Sequence, residues 1–243
     1  MAHQGVEIVA RELGVGGARG AVFAGVELAA APGQLVAIAG PGGSGRTSLL
    51  LTLAGRMRPT HGSAEVGGRR LPQEAKAVRR LVTVARATGA VELQDRWTVQ
   101  EAVDLQEVLR GHRIDAREAA ATLDLCGISA RGEDRIEDLH PAQRTRLAAA
   151  LAWFEGPPAT VVDDVDRGTN TLTEAAIWQV LRGLADRGTT VLASTADATA
   201  ATAIADVVVT LKHPSGPGAP GPANGPANGV PPPQPPPTPA AEA

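Results

Sequence analysis

The sequence predicts an α/β fold on three observations. The apolar run Leu35–Ala39 leads directly into a glycine-rich turn, Gly40-Pro41-Gly42-Gly43-Ser44-Gly45-Arg46-Thr47-Ser48, and then into the helix-like segment 49–53. Strand patterns return at 160–162, 190–193 and 207–211, with a helical pattern at 174–187 between the first two. Between the glycine-rich turn and these later strands, residues 98–153 carry apolar side chains at helical spacing. A half-exposed strand alternates apolar and polar residues, whereas a strand covered on both faces is continuously apolar, so short apolar runs separated by helices indicate a parallel sheet between two layers.

The elements follow in order. Val6-Glu7-Ile8-Val9 and Val22-Phe23-Ala24-Gly25-Val26-Glu27-Leu28 mix apolar and polar positions with glycine breaks, the pattern of short antiparallel strands. Ser63-Ala64-Glu65-Val66 is a further short strand running into the Gly67-Gly68 turn, and Leu81-Val82-Thr83-Val84 is another. In the helical block, Val99, Ala102, Val103 and Leu109 fall near one face, as do Leu147, Ala150 and Leu151, so a helical subdomain is expected over about 97–155. The folded domain is expected over 1–212. From His213 the composition collapses to proline, glycine, alanine and asparagine, including Pro231-Pro232-Pro233-Gln234-Pro235-Pro236-Pro237. Such a segment cannot bury a core, and 213–243 is expected to be a disordered or polyproline spacer.

Composition excludes several function classes. With 243 residues and 43% hydrophobic content, the chain can bury one substantial core with a small subdomain beside it. A net charge of -3 provides no basic field, so nucleic acid is not expected as a partner. Apolar stretches such as 147–154 and 207–209 are too short to cross a bilayer and no apolar leader opens the chain, so a cytoplasmic protein is expected. Cys126 is the one cysteine, which rules out an intrachain disulfide or cysteine cluster and leaves it a packing role. The histidines His3, His61, His112, His140 and His213 have no metal-ligand spacing. Phe23, Phe154, Trp97, Trp153 and Trp178 are the whole aromatic set, so base stacking is weak or absent.

The turn at 40–48 has the spacing G-x-x-x-x-G-[basic]-T of a phosphate-binding loop. Glycines allow backbone N–H groups to turn inward around phosphate oxygens, and the helix start beneath adds the positive end of its dipole. Thr47 is then placed to reach a magnesium ion, and Arg46 stands where such loops carry lysine. A tight strand-to-helix turn with no ligand has the same local shape, so the downstream order carries the decision. Thr160-Val161-Val162-Asp163-Asp164 is an apolar strand ending in two carboxylates, suited to hold magnesium and to orient an attacking water. Leu139-His140-Pro141-Ala142-Gln143-Arg144 precedes it at a helix start, and residues 189–197 follow as a buried strand ending in a polar turn.

In this order and spacing residues 6–212 resemble the nucleotide-binding domain of ABC transporters. Gly25-Val26-Glu27-Leu28 with Pro32-Gly33-Gln34, Leu53-Ala54-Gly55 with Pro59-Thr60-His61-Gly62, and Thr98-Val99-Gln100-Glu101 extend the match well beyond the loop. The resemblance implies a P-loop NTPase of the ABC ATPase type, with an antiparallel β-subdomain and a helical subdomain inserted between the two Walker motifs. It implies an ATP-binding subunit that binds ATP and Mg2+, pairs with a second ABC domain as a homodimer or heterodimer, and couples to a separate permease at the inner face of the cell membrane. Residue by residue, Gly40, Pro41, Gly42, Gly43, Ser44, Gly45, Arg46, Thr47, Ser48 and Asp163 take the nucleotide-binding positions. Thr47 and Asp163 take the metal positions, and Asp164 takes that of the catalytic glutamate.

The same resemblance exposes departures from the family pattern. Arg46 replaces the lysine with a broader, planar cation, and Asp164 is one methylene shorter than glutamate, where a displacement of about 1 Å can cost on the order of a hundredfold in rate. Arg86 stands at the glutamine of the glutamine loop, Ala196 at the switch histidine and Asn170 at the D-loop aspartate, and no aromatic occupies 13–17 to stack on adenine. Leu139-His140-Pro141-Ala142-Gln143 replaces the signature L-S-G-G-Q, and its proline removes a backbone donor. Slow or conditional hydrolysis is the expectation. The alternative is a non-catalytic regulatory or assembly subunit that uses the fold as an interaction module. A soluble cassette acting on DNA or ribosomes is disfavoured by the acidic balance and by the absence of a coiled-coil insertion.

Overall fold

The computed structural model describes residues 4–17 and 20–213. Strands β1 (Ile8–Gly17) and β2 (Gly20–Ala30) form a long antiparallel pair, and β3 (Leu35–Ala39) then runs into the glycine-rich turn and helix α1 (Arg46–Leu53). Next come β4 (His61–Val66), β5 (Arg69–Leu71), α2 (Ala75–Leu81) and β6 (Val82–Arg86). Helices α3 (Val99–Arg110), α4 (Ala116–Leu125) and α5 (Pro141–Phe154) separate β6 from β7 (Ala159–Val162). The chain closes with α6 (Thr171–Ala185), β8 (Thr190–Thr195), α7 (Thr199–Thr202) and β9 (Val207–Thr210).

Two sheets result. One is antiparallel with strand order β2-β1-β4-β5, and the other is wholly parallel with order β6-β7-β8-β3-β9. The parallel sheet is buried on both faces, and its two-residue period assigns each side chain to a core. Leu35 and Ala37 of β3, Val162 of β7, and Val191 and Ala193 of β8 join α5 and α6 in one cluster. Val36, Ile38, Val161 and Leu192 point the other way, into a cluster with α1 and the antiparallel sheet. This division is the physical content of the continuous apolar runs in the sequence. At the sheet edge, β9 alternates instead, with Val208 exposed.

Helix boundaries follow local chemistry. Thr98 and Glu101 form a reciprocal capping box at the start of α3, and Asn170 and Thr173 form one at the start of α6. Gly111, in the left-handed region at φ 73°, ends α3. Two expectations need correction. Leu81 closes α2 rather than opening a strand, and Leu109 is exposed although Val99, Ala102 and Val103 are buried. The buried side chains of α3 are Val99, Ala102, Val103 and Gln106, whereas Val108 and Leu109 in its last turn are exposed. Periodicity identifies a helix face but does not report how far the packing partner extends. The expected proline-rich spacer lies outside the described residues beyond His213.

One polar tie joins the two layers at the bottom of β3. Asp206 accepts from the Leu35 amide at 2.7 Å and from Arg182 of α6 at 2.6 Å. Burial works to raise this carboxyl, but the Leu35 amide and Arg182 outweigh it and hold it below its ordinary value. A depressed folded value means the tie contributes fully above the unfolded carboxylate value of about 3.9 and is lost as pH falls through the lower folded value. Asp206→Asn is therefore expected to lower the melting temperature near neutral pH and to flatten its decline below about pH 4. Parallel melting curves of the variant and the parent between neutral and acid pH would contradict this assignment.

Candidate functional site

The glycine-rich turn sits at the carboxyl end of β3, where a parallel sheet opens its crevice to ligands. Gly40 N donates to Thr195 O of the neighbouring β8 at 3.2 Å, and Ser44 N donates to Pro41 O at 3.1 Å, which closes the loop. Gly45 caps α1 at φ 92°, and a Cβ there would lie 2.6 Å from the Val22 carbonyl, so glycine is required both by conformation and by the close approach of β2. Among the described residues no side chain caps α1, so its first amides have no side-chain acceptor. Inside the loop, the Ser44 hydroxyl and Arg46 Nε are buried without a hydrogen-bond partner among the described residues. Open amides and an orphaned buried hydroxyl fit an anionic, phosphate-sized guest.

The two carboxylates at the end of β7 have different surroundings. Asp163 is fully buried, receiving hydrogen bonds from Thr47 Oγ1 at 2.7 Å, the Thr88 amide at 3.0 Å and Ser194 Oγ at 2.5 Å. Thr47 and Asp163, predicted as magnesium ligands, are thus brought into direct contact as adjacent oxygen donors, the donor type that magnesium takes. Asp164 adopts φ 47°, unusual for a non-glycine residue, and its amide donates to Ser194 Oγ at 2.8 Å. Its carboxylate takes an ion pair from Arg46 Nη2 at 2.6 Å and a hydrogen bond from Thr88 Oγ1 at 2.9 Å. Burial pushes the Asp164 carboxyl up, yet the bonds from Arg46 and Thr88 and the charges of Arg46 and Arg86 together hold it below the ordinary carboxylate value.

Arg46 also donates through Nη1 to the Gly40 carbonyl. Arg86, at the end of β6, turns towards α5 and donates to Thr145 Oγ1 at 2.7 Å. Burial lowers the guanidinium of Arg86 below the usual arginine value, with the nearby charge of Arg167 adding to the effect and Glu92 opposing it. Thr88 and Ser194 were not singled out by the sequence, although they complete the carboxylate network. Ser194 had a readable signal, a hydroxyl at the end of an apolar strand, whereas Thr88 sits in a loop without a motif.

The sequence model of the ABC transporter family matches residues 23–166, more than half of the chain. The protein is a member of the ABC transporter family. A cytochrome c biogenesis ATP-binding export protein of Pseudomonas fluorescens (strain Pf0-1) is 31% identical over 72% of this chain and 81% of the relative. A daunorubicin/doxorubicin resistance ATP-binding protein of Streptomyces peucetius is 29% identical over 78% of this chain, which spans only 57% of that relative. Among solved structures, a dimeric ATP-binding cassette in a post-hydrolysis state with ADP and Pi superposes with a TM-score of 0.70 at 22% identity, covering 85% of this chain and 94% of that one. The fold is accordingly that of a P-loop ABC ATPase.

The residues that the resemblance sets against the family's functional positions have local structural roles. His140 is the N-cap of α5, its Nδ1 accepting from the Ala142 amide at 3.3 Å, with Pro141 in the first turn where a missing N–H costs nothing. Gln143 donates to Ser129 rather than standing free. Asn170 caps α6. At Ala196, which the resemblance sets against the switch histidine, the amide donates to Asp166 at 3.0 Å. Cys126 is fully buried, which pushes its thiol up to about 12, in keeping with a packing role. Among the described residues no His, Cys, Asp and Glu group has a metal-holding arrangement, and no helix is long and apolar enough to cross a membrane.

Proposed function

We propose that the protein is the ATP-binding subunit of an ABC transporter, binding Mg-ATP at the loop 40–48 and working with a separate membrane permease and a second ABC domain. The observation that carries this reading is the contact of Thr47 with Asp163 beneath a glycine loop whose Ser44 hydroxyl lacks a partner among the described residues. In the bound state, loop amides, Ser44 and Arg46 would hold the phosphates while Thr47 and Asp163 would hold magnesium, which supplies charge neutralisation at the β- and γ-phosphates. Names of relatives, an ATP-binding export protein and a drug-resistance ATP-binding protein, support the class without fixing a cargo.

A permease surface has a candidate on the helical side. A cleft of about 330 Å³ lies between β6 and helices α3 and α5, lined by Val84, Leu93, Trp97, Leu105, Leu151 and Glu155. Exposed Val108 and Leu109 continue along α3. Attachment there would place the subunit peripherally at the inner face of the membrane.

Hydrolysis in this reading is slow. Asp164 is engaged by Arg46 and Thr88 rather than free to orient water, and Ala196 offers no side chain to the γ-phosphate. The same engagement favours a second reading, a non-catalytic regulatory or assembly subunit. Calorimetric titration of the full chain with Mg-ATP separates them. Saturable binding at or below about 1 mM, weakened roughly tenfold in Thr47→Ala, supports the first. Absence of binding, with membrane recruitment by the permease retained, supports the second.

A further inference from the structure

The replacements at positions 46 and 164 meet in the structure. Arg46 spans the loop, one arm of its guanidinium on the Gly40 carbonyl at the start of the loop and the other on Asp164 Oδ1 at the end of β7. Both side chains are largely withdrawn from water, at 11% and 18% exposure, so the pair is not the solvent-screened kind. A planar fork with donors on two arms can satisfy a carbonyl and a carboxylate together, which a lysine ammonium at a single point does less well. Asp164 is pinned for its part: Thr88 Oγ1 holds the second carboxylate oxygen, Ser194 holds the amide, and the backbone sits at φ 47°, a conformation that costs energy in a non-glycine residue. Meanwhile Arg46 Nε and Ser44 Oγ, both inside the loop, have no partner among the described residues.

We infer that Asp164 is the nucleotide-free counter-ion of Arg46, so that the pair forms a latch across the loop which the phosphates must displace. The inference rests on the loop being the nucleotide site and adds how that site is regulated. Arginine for lysine and aspartate for glutamate become one paired change rather than two separate losses. The guanidinium is the shared element. In the latched state it neutralises Asp164, and in the bound state it turns to the phosphates, leaving Asp164 to Thr88. Nucleotide affinity is thereby set by competition inside the chain, and any partner that pulls Asp164 away from Arg46 tightens nucleotide binding without touching the loop.

A double-mutant cycle tests this on the full chain with a non-hydrolysable ATP analogue and Mg2+, using the parent, Asp164→Asn, Arg46→Ala and the double variant. Asp164→Asn is nearly isosteric and removes only the charge that competes for Arg46, so it is expected to tighten binding roughly tenfold in the parent background. In the Arg46→Ala background the same substitution is expected to change affinity less than about threefold, because no guanidinium remains to be released. Equal tightening in both backgrounds would mean that removing a negative charge near the phosphates explains everything, and the latch would fall. Unchanged or weaker binding in Asp164→Asn, with binding otherwise saturable, also overturns the latch while the nucleotide site stands. If none of the four proteins binds, the reading of the site fails and the competition goes with it. Thermal unfolding of the four proteins without nucleotide reads the pair directly: non-additive midpoints are expected, and additive midpoints would remove the ion pair from the account.

Discussion

Replacing Asp163 with alanine is expected to abolish the magnesium dependence of nucleotide binding and to weaken Mg-ATP by at least about tenfold, the loss of one or two charge-assisted interactions worth about 1.5–3 kcal/mol each. Asp163 is fully buried, and its two carboxylate oxygens collect Thr47, Thr88 and Ser194. A buried carboxylate without a cation in contact is costly, and three donors compensate only part of that cost. Magnesium would supply the missing positive charge. Titrations with and without EDTA read this out: the parent should lose affinity when the metal is removed, and the alanine variant should be indifferent. Retention of a magnesium-dependent gain in the variant would place the metal elsewhere.

Trp178→Ala is expected to destabilise the protein by about 3–5 kcal/mol, the range for deleting a large aromatic from a packed core. Trp178 is fully buried on α6 among the residues that cover one face of the parallel sheet, including Leu35 and Ala37. Its Nε1 donates to Glu174 Oε1 at 3.1 Å, and the same oxygen accepts from Thr195 Oγ1 at 3.2 Å, which ties α6 to the end of β8 close to the loop. Trp178→Phe keeps most of the apolar area but leaves Glu174 short of one donor, so a smaller loss of about 1–2 kcal/mol is expected. Denaturant titration at unchanged slope measures both. A loss below about 1 kcal/mol for the alanine variant would show that the core refills the site, against the close packing described here.

Much of the fold was legible because its signals are local. The apolar run 35–39, the glycine turn and the later apolar strands specify a two-sided parallel sheet through side-chain period alone, and β3, β7 and β8 occupy those positions. Leu109 and Leu81 were less legible for different reasons: exposure depends on where a neighbouring helix stops, and a helix-to-strand boundary depends on packing from both sides. In the candidate site, the loop residues and Asp163 and Asp164 were singled out by spacing, whereas Thr88 carried no signal because its contacts arise from a loop folding over carboxylates 75 and 76 positions away. Arg86, which the resemblance sets at the glutamine-loop position, is bonded to Thr145 on α5, a contact no spacing along the chain announces.

The sequence alone determined the family, the order of its elements and the glycine loop, since these are written as spacing and as residue type along one chain. Only the tertiary structure decided how the charged groups beside the loop are paired. Arg46 and Asp164 stand 118 positions apart, and nothing along the chain shows that they pair. The physical reason is that a charge finds its partner through distance and burial in three dimensions, and parallel strands place the ends of β3 and β7 at the same edge of one sheet.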